Sequence, residues 1–425
     1  MKRLIKEQLP RKIRGLLEVV ATTADESGLS AYVVGGFVRD LLIGIENLDM
    51  DIVIEGDGNL FAATLGEKLD GKVRNHAQFG TASLILPDGF KIDFATARKE
   101  SYEHPGALPK VERSSIQTDL SRRDFSFNSL AVKLNGADAF SLIDFFDGQR
   151  DLEEKRVRVL HDQSFVDDPC RAFRAIRFEQ RFGFALNQQT QALIKDAVKK
   201  RLVDRLSGRR LFNELTALLK ERDPLPCLRR MKELGLLQFV HADLVLSNRD
   251  WEILEKVNAA FAASEKILLN EPPERWVVYL LGLLYFLEDL GPTAEHLQIP
   301  AKMRSNLDKD LQGCRKALTL LRCGEEPGPT QIYDAFAGLT AQALVLLLAT
   351  TDDDHMIQVA LNFFTKYRHA TVPDLTGGDL VQMGLKPGPL FQDVFAALRD
   401  ARLDGRVKTR EDEAALVKER FLSSK

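Results

Sequence analysis

The chain changes its hydrophobic rhythm once along its length. Over roughly the first 160 residues short apolar runs alternate with stretches of helical spacing, and beyond them the helical period is almost continuous. Ile13, Leu16, Leu17, Val20, Ala21 and Ala24 recur three and four apart, which predicts a helix, and Gly28 is placed to end it before the apolar strand Ala31 to Val34. In Leu48-Asp49-Met50-Asp51-Ile52-Val53-Ile54 the period falls to two. Leu48, Met50, Ile52 and Ile54 then take one face of a strand, and Asp49 and Asp51 share the other. Lys91-Ile92-Asp93-Phe94 repeats the pattern after the turn Pro87-Asp88-Gly89. Past a boundary at Asp162 to Pro169, helices are expected near Arg171 to Arg181, Gln188 to Lys199, Arg210 to Lys220 and Pro226 to Leu234. Gly, Pro and charged residues cluster at Asp204 to Gly208, Glu271 to Pro273, Gly324 to Gly328 and Asp374 to Gly378, marking joints. The expected architecture is an α/β N-terminal part followed by an all-α region, without the 20 to 50 residue period of a helical repeat protein.

At 425 residues the chain is too long for one ordinary core, so several units are expected. Its 59 lysines and arginines are balanced by 62 acidic residues, a net charge of −3. That excludes a global basic field, and a nucleic-acid partner has to be met by a local patch. With 44% hydrophobic and 28% charged residues, wholesale disorder is excluded. The apolar runs Val277 to Leu287 and Ala343 to Ala349 are shorter than the roughly 18 residues of a membrane span and are expected as buried helices. The opening Met1-Lys2-Arg3-Leu4-Ile5-Lys6 has no signal-peptide pattern, so a cytoplasmic location is the expectation. Cys170, Cys227, Cys314 and Cys323 form no CxxC pair and are expected as reduced fillers.

The shared face of Asp49 and Asp51 has two readings. Solvated aspartates on an edge strand satisfy the pattern, and so does a carboxylate pair that holds Mg²⁺ for phosphoryl transfer. The preceding Val33-Val34-Gly35-Gly36-Phe37-Val38-Arg39-Asp40 reads as strand, glycine turn and helix start. The glycines admit a phosphate close to the backbone, the helix N-terminus offers free N–H groups, and Arg39 adds charge-assisted donors. Asp93 reads either as a third carboxylate beside the pair or as a plain outward-facing residue. Ser121-Arg122-Arg123-Asp124-Phe125-Ser126-Phe127-Asn128 supplies two guanidiniums and a carboxylate before an apolar helix start, where Asp124 also suits an N-cap. The aperiodic segment between Arg98 and Arg122 is expected to be a mobile loop near the site.

These residues resemble the class II tRNA nucleotidyltransferases and the related bacterial poly(A) polymerases. The resemblance is carried by Gly35-Gly36-Phe37-Val38-Arg39-Asp40 with Asp49-Met50-Asp51, by Arg122-Arg123-Asp124-Phe125, and by Asp167-Asp168-Pro169-Cys170-Arg171 leading into Arg174-Ala175-Ile176-Arg177-Phe178. Gly378-Asp379-Leu380, Gly384, Pro387-Gly388-Pro389 and Leu403-Asp404-Gly405 resemble the family's C-terminal ending. It implies a polymerase β nucleotidyltransferase head with a mixed sheet, followed by helical neck, body and tail, expected at 1–162, 163–235, 236–340 and 341–425. By the same resemblance Asp49 and Asp51 hold two Mg²⁺ ions, with Asp93 in the third acidic position. Gly35, Gly36 and Arg39 hold the triphosphate of ATP or CTP, and Arg123, Asp124 and Asn128 bind the nucleotide and its ribose. Asp167, Asp168 and Arg171 form the base-reading motif, although many members carry Glu where this chain has Asp167.

The chemistry of that motif stands by itself. Pro169 suits the first helical position, which puts Arg171 near the carboxylates. An arginine donor beside a carboxylate acceptor matches the ring nitrogen and exocyclic amine of cytosine and adenine, and mismatches uracil and guanine. No template is needed. Arg174, Arg177 and Arg181, followed by Lys199, Lys200 and Arg209, form a basic stripe that suits an RNA backbone. The implied activity is addition of C and/or A to a tRNA 3′ end, with no membrane and no obligatory protein partner. A poly(A) polymerase and a silent RNA-binding module are the alternatives. The Lys99 to Ser121 segment is not truncated, which favours competence for A. His161-Asp162 lacks the other spacings of a metal site, Asp352-Asp353-Asp354-His355 suits a helix cap, and Trp251 and Trp276 suit packing.

Overall fold

A computed structural model describes residues 1–76, 80–101, 110–241, 244, 246–265, 268, 272–322, 327–367 and 372–422. The chain divides into two compact units, Met1–Glu221 with Pro226–Phe239, and Arg222–Leu225 with Val240–Lys425.

The first unit is built on a mixed sheet. Its strands are β1 (Ser30–Val34), β2 (Met50–Glu55), β3 (Lys72–His76), β4 (Thr81–Ile85) and β5 (Lys91–Thr96). A separate ribbon, β6 (Arg98–Ser101) and β7 (Lys110–Arg113), comes next, followed by β8 (Leu130–Lys133) and β9 (Leu142–Asp144) of the main sheet. The sheet order is β3-β4-β5-β2-β1-β8-β9. Pairing is antiparallel except between β2 and β5, which run parallel with Asp51 opposite Asp93.

Both faces of β2 are covered. Met50, Ile52 and Ile54 are buried on one, while Val53 joins Tyr32, Val34, Ala97, Ile116, Leu120 and Ala131 in a cluster on the other. The strand lies in the middle of the sheet, so the edge-strand reading of the aspartates is set aside. The strand begins at Met50 rather than Leu48, and the Asp49 amide donates to Asn47 Oδ1 at 2.9 Å instead. The helix Arg11–Glu26 forms on the expected apolar stripe, with Gly28 at φ +64° in the turn after it. The four helices expected beyond the boundary appear as Cys170–Phe182, Gln188–Lys199, Gly208–Leu219 and Leu225–Glu233.

Two expectations need correction. Asp124 does not precede an α-helix. A 3-10 turn, Ser126–Asn128, leads straight into β8, whose Leu130, Ala131 and Val132 are fully buried. The segment between Arg98 and Arg122 is also not all loop, since it contains the ribbon and the helix Ile116–Ser121; residues 102–109 lie outside the described residues.

Packing fixes the helix Cys170–Phe182 against this sheet unit. Phe125 and Phe127 stack at 5.6 Å, and Phe178 meets both edge-on at 5.7 and 5.6 Å. The burial of such rings is the largest apolar contribution available per side chain.

The second unit is helical. Ala341–Ala349 is buried all round, as befits a central helix, and Asn248–Ser264 and Ala301–Leu321 pack on it. Asp353 caps Asp354–Asn362 by accepting from the His355 and Met356 amides. Trp251 and Trp276 are half-buried. A small C-terminal core gathers Leu375, Leu380, Leu385, Val394, Leu398 and Val417. Next to it the buried Glu413 accepts from the Asp374 and Leu375 amides and pairs with Arg402. Among the described residues no single helix is long and apolar enough to cross a membrane. Cys170, Cys227 and Cys314 are buried free thiols, and Cys323 lies outside the described residues.

Candidate active site

The first unit contains a cleft of about 600 Å³. The end of β1 opens into it through Gly35, at φ +67°, and Gly36, the first residue of the helix Gly36–Ile43. A Cβ on Gly35 would come within 2.7 Å of Arg123 Nη1, so close approach as well as backbone conformation demands glycine there. Asp49 and Asp51 enter from the top of β2, and Arg122, Arg123, Asp124 and Asn128 from the segment before β8. The helix Cys170–Phe182 closes the cleft with Arg171, Arg174, Arg177, Phe178 and Arg181, and Asp168 lies at its start.

The two acidic regions of the cleft differ electrically. Enclosure by the protein, reinforced by the neighbouring Asp49 and opposed by Arg123, pushes the Asp51 carboxyl up to about 6, although its side chain faces the open cleft. Asp124 is buried, which alone would raise it; Arg174 at 3.2 Å, a hydrogen bond from Asn128 Nδ2 at 2.9 Å and the charge of Arg171 together hold it below the usual carboxylate range. Behind the cleft, on the helix Gly208–Leu219, burial raises Glu214 against the pull of Arg174 and Arg177, and on the cleft wall burial lowers Arg177. Arg123 Nε and Arg177 Nε are enclosed without a hydrogen-bond partner. Enclosed cationic donors of this kind suit an anionic ligand.

The segment around Asp168 and Arg171 is held from several sides. Asp168 Oδ1 accepts from the Cys170 amide at 3.1 Å and from Arg210 Nη2 at 2.8 Å. Arg171 donates to Ser164 Oγ and to the Arg122 carbonyl, both at 2.7 Å. Asp167 stands apart: it does not line the cleft, and its carboxylate lies 3.8 Å from His161, whose imidazole burial pushes toward the neutral form. Asp93 sits opposite Asp51 but lies outside the main cleft, its carboxylate held by Ser83 Oγ at 2.5 Å and Lys91 Nζ at 2.6 Å. It lines an adjoining cavity of about 390 Å³ that shares Asp51, Arg122 and Arg123. Arg39 lines the cleft but is only 5% exposed, bound to Asp40 and Asn128.

Of the expected RNA-facing residues, Arg174, Arg177 and Arg181 all lie on the cleft wall, Arg174 paired with Asp124 and Arg181 with Glu221 at 3.0 Å. Lys199, Lys200 and Arg209 do not line it, and Lys200 pairs with Asp196 one turn back. Sequence reasoning gave no role to Asn47 or Glu214 and quoted Asp40 only as the end of the glycine-turn motif. Asp40 and Asn47 bond each other at 2.7 Å beneath the glycine turn. A polar residue closely preceding the paired aspartates was the one available signal for Asn47.

Among the described residues no group of three or more His, Cys, Asp or Glu is arranged to hold a metal ion. The pair Asp49 and Asp51 nevertheless fits Mg²⁺, which takes one or two carboxylates and completes its shell with water and substrate phosphates. Enclosure and the neighbouring Asp49 both disfavour the charged form of Asp51, a balance that an added cation would reverse.

A head of this sheet order with an acidic, arginine-walled cleft defines a nucleotide-handling protein, and the comparisons narrow the class. Residues 31–158 match the family described as "Poly A polymerase head domain", and residues 183–245 the one described as "Probable RNA and SrmB- binding site of polymerase A". The A-adding tRNA nucleotidyltransferase of Geobacter sulfurreducens is 44% identical over 97% of this chain and 48% of its own. That of Halalkalibacterium halodurans is 31% identical over 96% of this chain and 92% of its own. A solved CCA-adding enzyme in an apo form is similar at a TM-score of 0.84, with 34% identity over 98% of both chains. The chain belongs to the tRNA nucleotidyltransferase family. It spans about half the length of the Geobacter relative.

Proposed function

We propose that the protein is a template-independent tRNA 3′-terminal nucleotidyltransferase that adds C and/or A and releases pyrophosphate. The observation that carries the reading is a single cleft in which the unpaired Asp49 and Asp51 face a glycine turn, enclosed arginine donors and the Asp168 and Arg171 pair. Asp49 and Asp51 hold Mg²⁺, which supplies charge neutralisation on the reacting phosphates. Gly35, Gly36 and Arg123 seat the triphosphate, and Asp124 and Asn128 orient the nucleoside. Asp168 accepts from the exocyclic amine and Arg171 donates to the ring nitrogen, which selects C and A. Asp167, off the cleft, and Asp93, held by Ser83 and Lys91, act at a distance from the nucleotide. Arg174, Arg177 and Arg181 extend the cationic wall toward RNA, and Lys199, Lys200 and Arg209 meet RNA outside the cleft. Segments 1–162, 163–235, 236–340 and 341–425 serve as head, neck, body and tail of a cytoplasmic enzyme.

The A-adding names of both relatives favour addition of the terminal A. The test supplies Mg²⁺, ATP and CTP with tRNA transcripts ending before the first C, after one C and after both, and an unstructured RNA. Extension of only the CC-ended transcript by one A assigns the A-adding form, and growth of the shortest one to CCA assigns the complete one. Long A tails on the unstructured RNA move the assignment to poly(A) polymerase, and no incorporation overturns it.

A further inference from the structure

Arg39 is the most heavily engaged cation in the cleft. Its Nε and Nη2 donate to the two oxygens of Asp40 at 2.7 and 2.8 Å, and Nη1 donates to Asn128 Oδ1 at 2.7 Å. Asn128 in turn donates to Asp124. The guanidinium carbon lies 4.7 Å from the ring centre of Phe182 and 5.3 Å from that of Phe178. Those rings are one helical turn apart and stacked within 5° at 5.8 Å. Each nitrogen of the fork has a partner, so the plane of the group is fixed by the protein itself, with two of its five N–H bonds left over.

Three segments distant in sequence meet at this one side chain. They are the glycine turn, the Asp124 to Asn128 segment, and the helix whose other end carries Arg171. Phe178 lies seven residues after Arg171, two turns along the same helical face, or about 10 Å. A planar guanidinium is suited to this position because it bonds in its plane and stacks on its faces at once, which an ammonium does not.

We propose that Arg39 is a positioning residue for base selection, setting the base-reading helix against the glycine turn through the rings of Phe178 and Phe182. This rests on the proposed nucleotidyltransfer. Loosening the stack lets Asp168 and Arg171 shift relative to the seated nucleotide, and discrimination falls before triphosphate binding does.

The test compares wild type, Arg39→Lys and Phe182→Leu, using the CC-ended tRNA with ATP and GTP in separate reactions. Phe182 is absent from the cleft lining and also meets Phe184 at 5.5 Å, so its variant reports on the aromatic packing without removing a lining residue. Inorganic tripolyphosphate, as a competitive inhibitor, reads the triphosphate seat independently of the base. The expected result is a loss of about tenfold in ATP over GTP preference in both variants, with tripolyphosphate inhibition within twofold of wild type. A weakened tripolyphosphate inhibition in Arg39→Lys with base preference intact would make Arg39 a phosphate ligand and overturn the proposal. Lower melting temperatures with unchanged preference in both variants would reduce the stack to scaffolding and overturn it as well. Failure of the wild type to extend any tRNA with either C or A counts against the nucleotidyltransfer reading instead.

Discussion

The cleft contains two acidic regions under opposite electrical conditions. At the top of β2, Asp51 is crowded by Asp49 and by the enclosing protein, and its carboxyl is pushed up to about 6. Across the cleft, Asp124 is more deeply buried yet held low, because Arg174, Asn128 and Arg171 surround it. The difference teaches that burial alone does not set a carboxylate's state; the supply of partners does. The first region is left incomplete by the fold and suits an added cation, whereas the second is completed by the protein itself and suits a fixed template for a nucleotide.

The strongest way to break this comparison is Asp51→Asn. Incorporation should fall by at least about 10³-fold if the carboxylate holds the metal. The same variant should melt higher than wild type above pH 6. A carboxyl whose folded value exceeds its ordinary one costs native stability as pH rises from 3.8 to about 6, the cost is complete above that, and asparagine removes it. A variant that loses activity without this pH-dependent gain contradicts the crowding of Asp51.

Asp124→Asn should act in the reverse sense. It leaves Arg174 without its counter-ion and lowers stability at neutral pH by about 3 kcal/mol, measured by denaturant unfolding. The loss relative to wild type should shrink as pH falls through the carboxylate range, because protonation removes the same charge from the native protein. Gly35→Ala, at positive φ and against Arg123, should cut turnover by about 10 to 100-fold with a smaller loss of stability, separable by steady-state kinetics and melting. Mg²⁺ should raise the melting temperature of wild type by a few degrees through binding linkage, and this rise should vanish in Asp51→Asn and persist in Asp124→Asn. The smallest effect is expected of Asp167→Asn, which should leave ATP over GTP preference within about twofold, whereas Asp168→Asn should lose it.

The sequence was most legible where one strand or one turn carries the information. The period-two pattern around Asp49 and Asp51 put both carboxylates on one side, and the Gly35-Gly36 pair marked the turn beside them. The helix Gln188–Lys199 was readable to its ends because Asn187 caps it and its apolar stripe is regular. What escaped depended on pairing across the chain. The pairing of Arg210 with Asp168, 42 residues away, was not legible, nor was the bond between Arg39 and Asn128, a residue expected at the nucleotide, 89 residues away. The Ser126–Asn128 turn was read as an apolar helix start although Phe125 and Phe127 are two apart, and their burial against strand and helix neighbours decided otherwise. Asp167 is adjacent in sequence to Asp168 but leads out of the short helix Ser164–Asp167, so the two carboxylates diverge.

The parallel pairing of β2 with β5 bears on how the protein is born. Parallel neighbours cannot be joined by a tight turn, and here the connection runs through a helix and two further strands before Asp93 reaches its place opposite Asp51. The arginine wall lies later still, on the helix Cys170–Phe182. During synthesis, which delivers the chain from its N-terminus, the glycine turn and the aspartates leave the ribosome long before the residues that enclose them. The cleft is therefore incomplete on the growing chain and is enclosed only once the helix Cys170–Phe182 has been translated and packed.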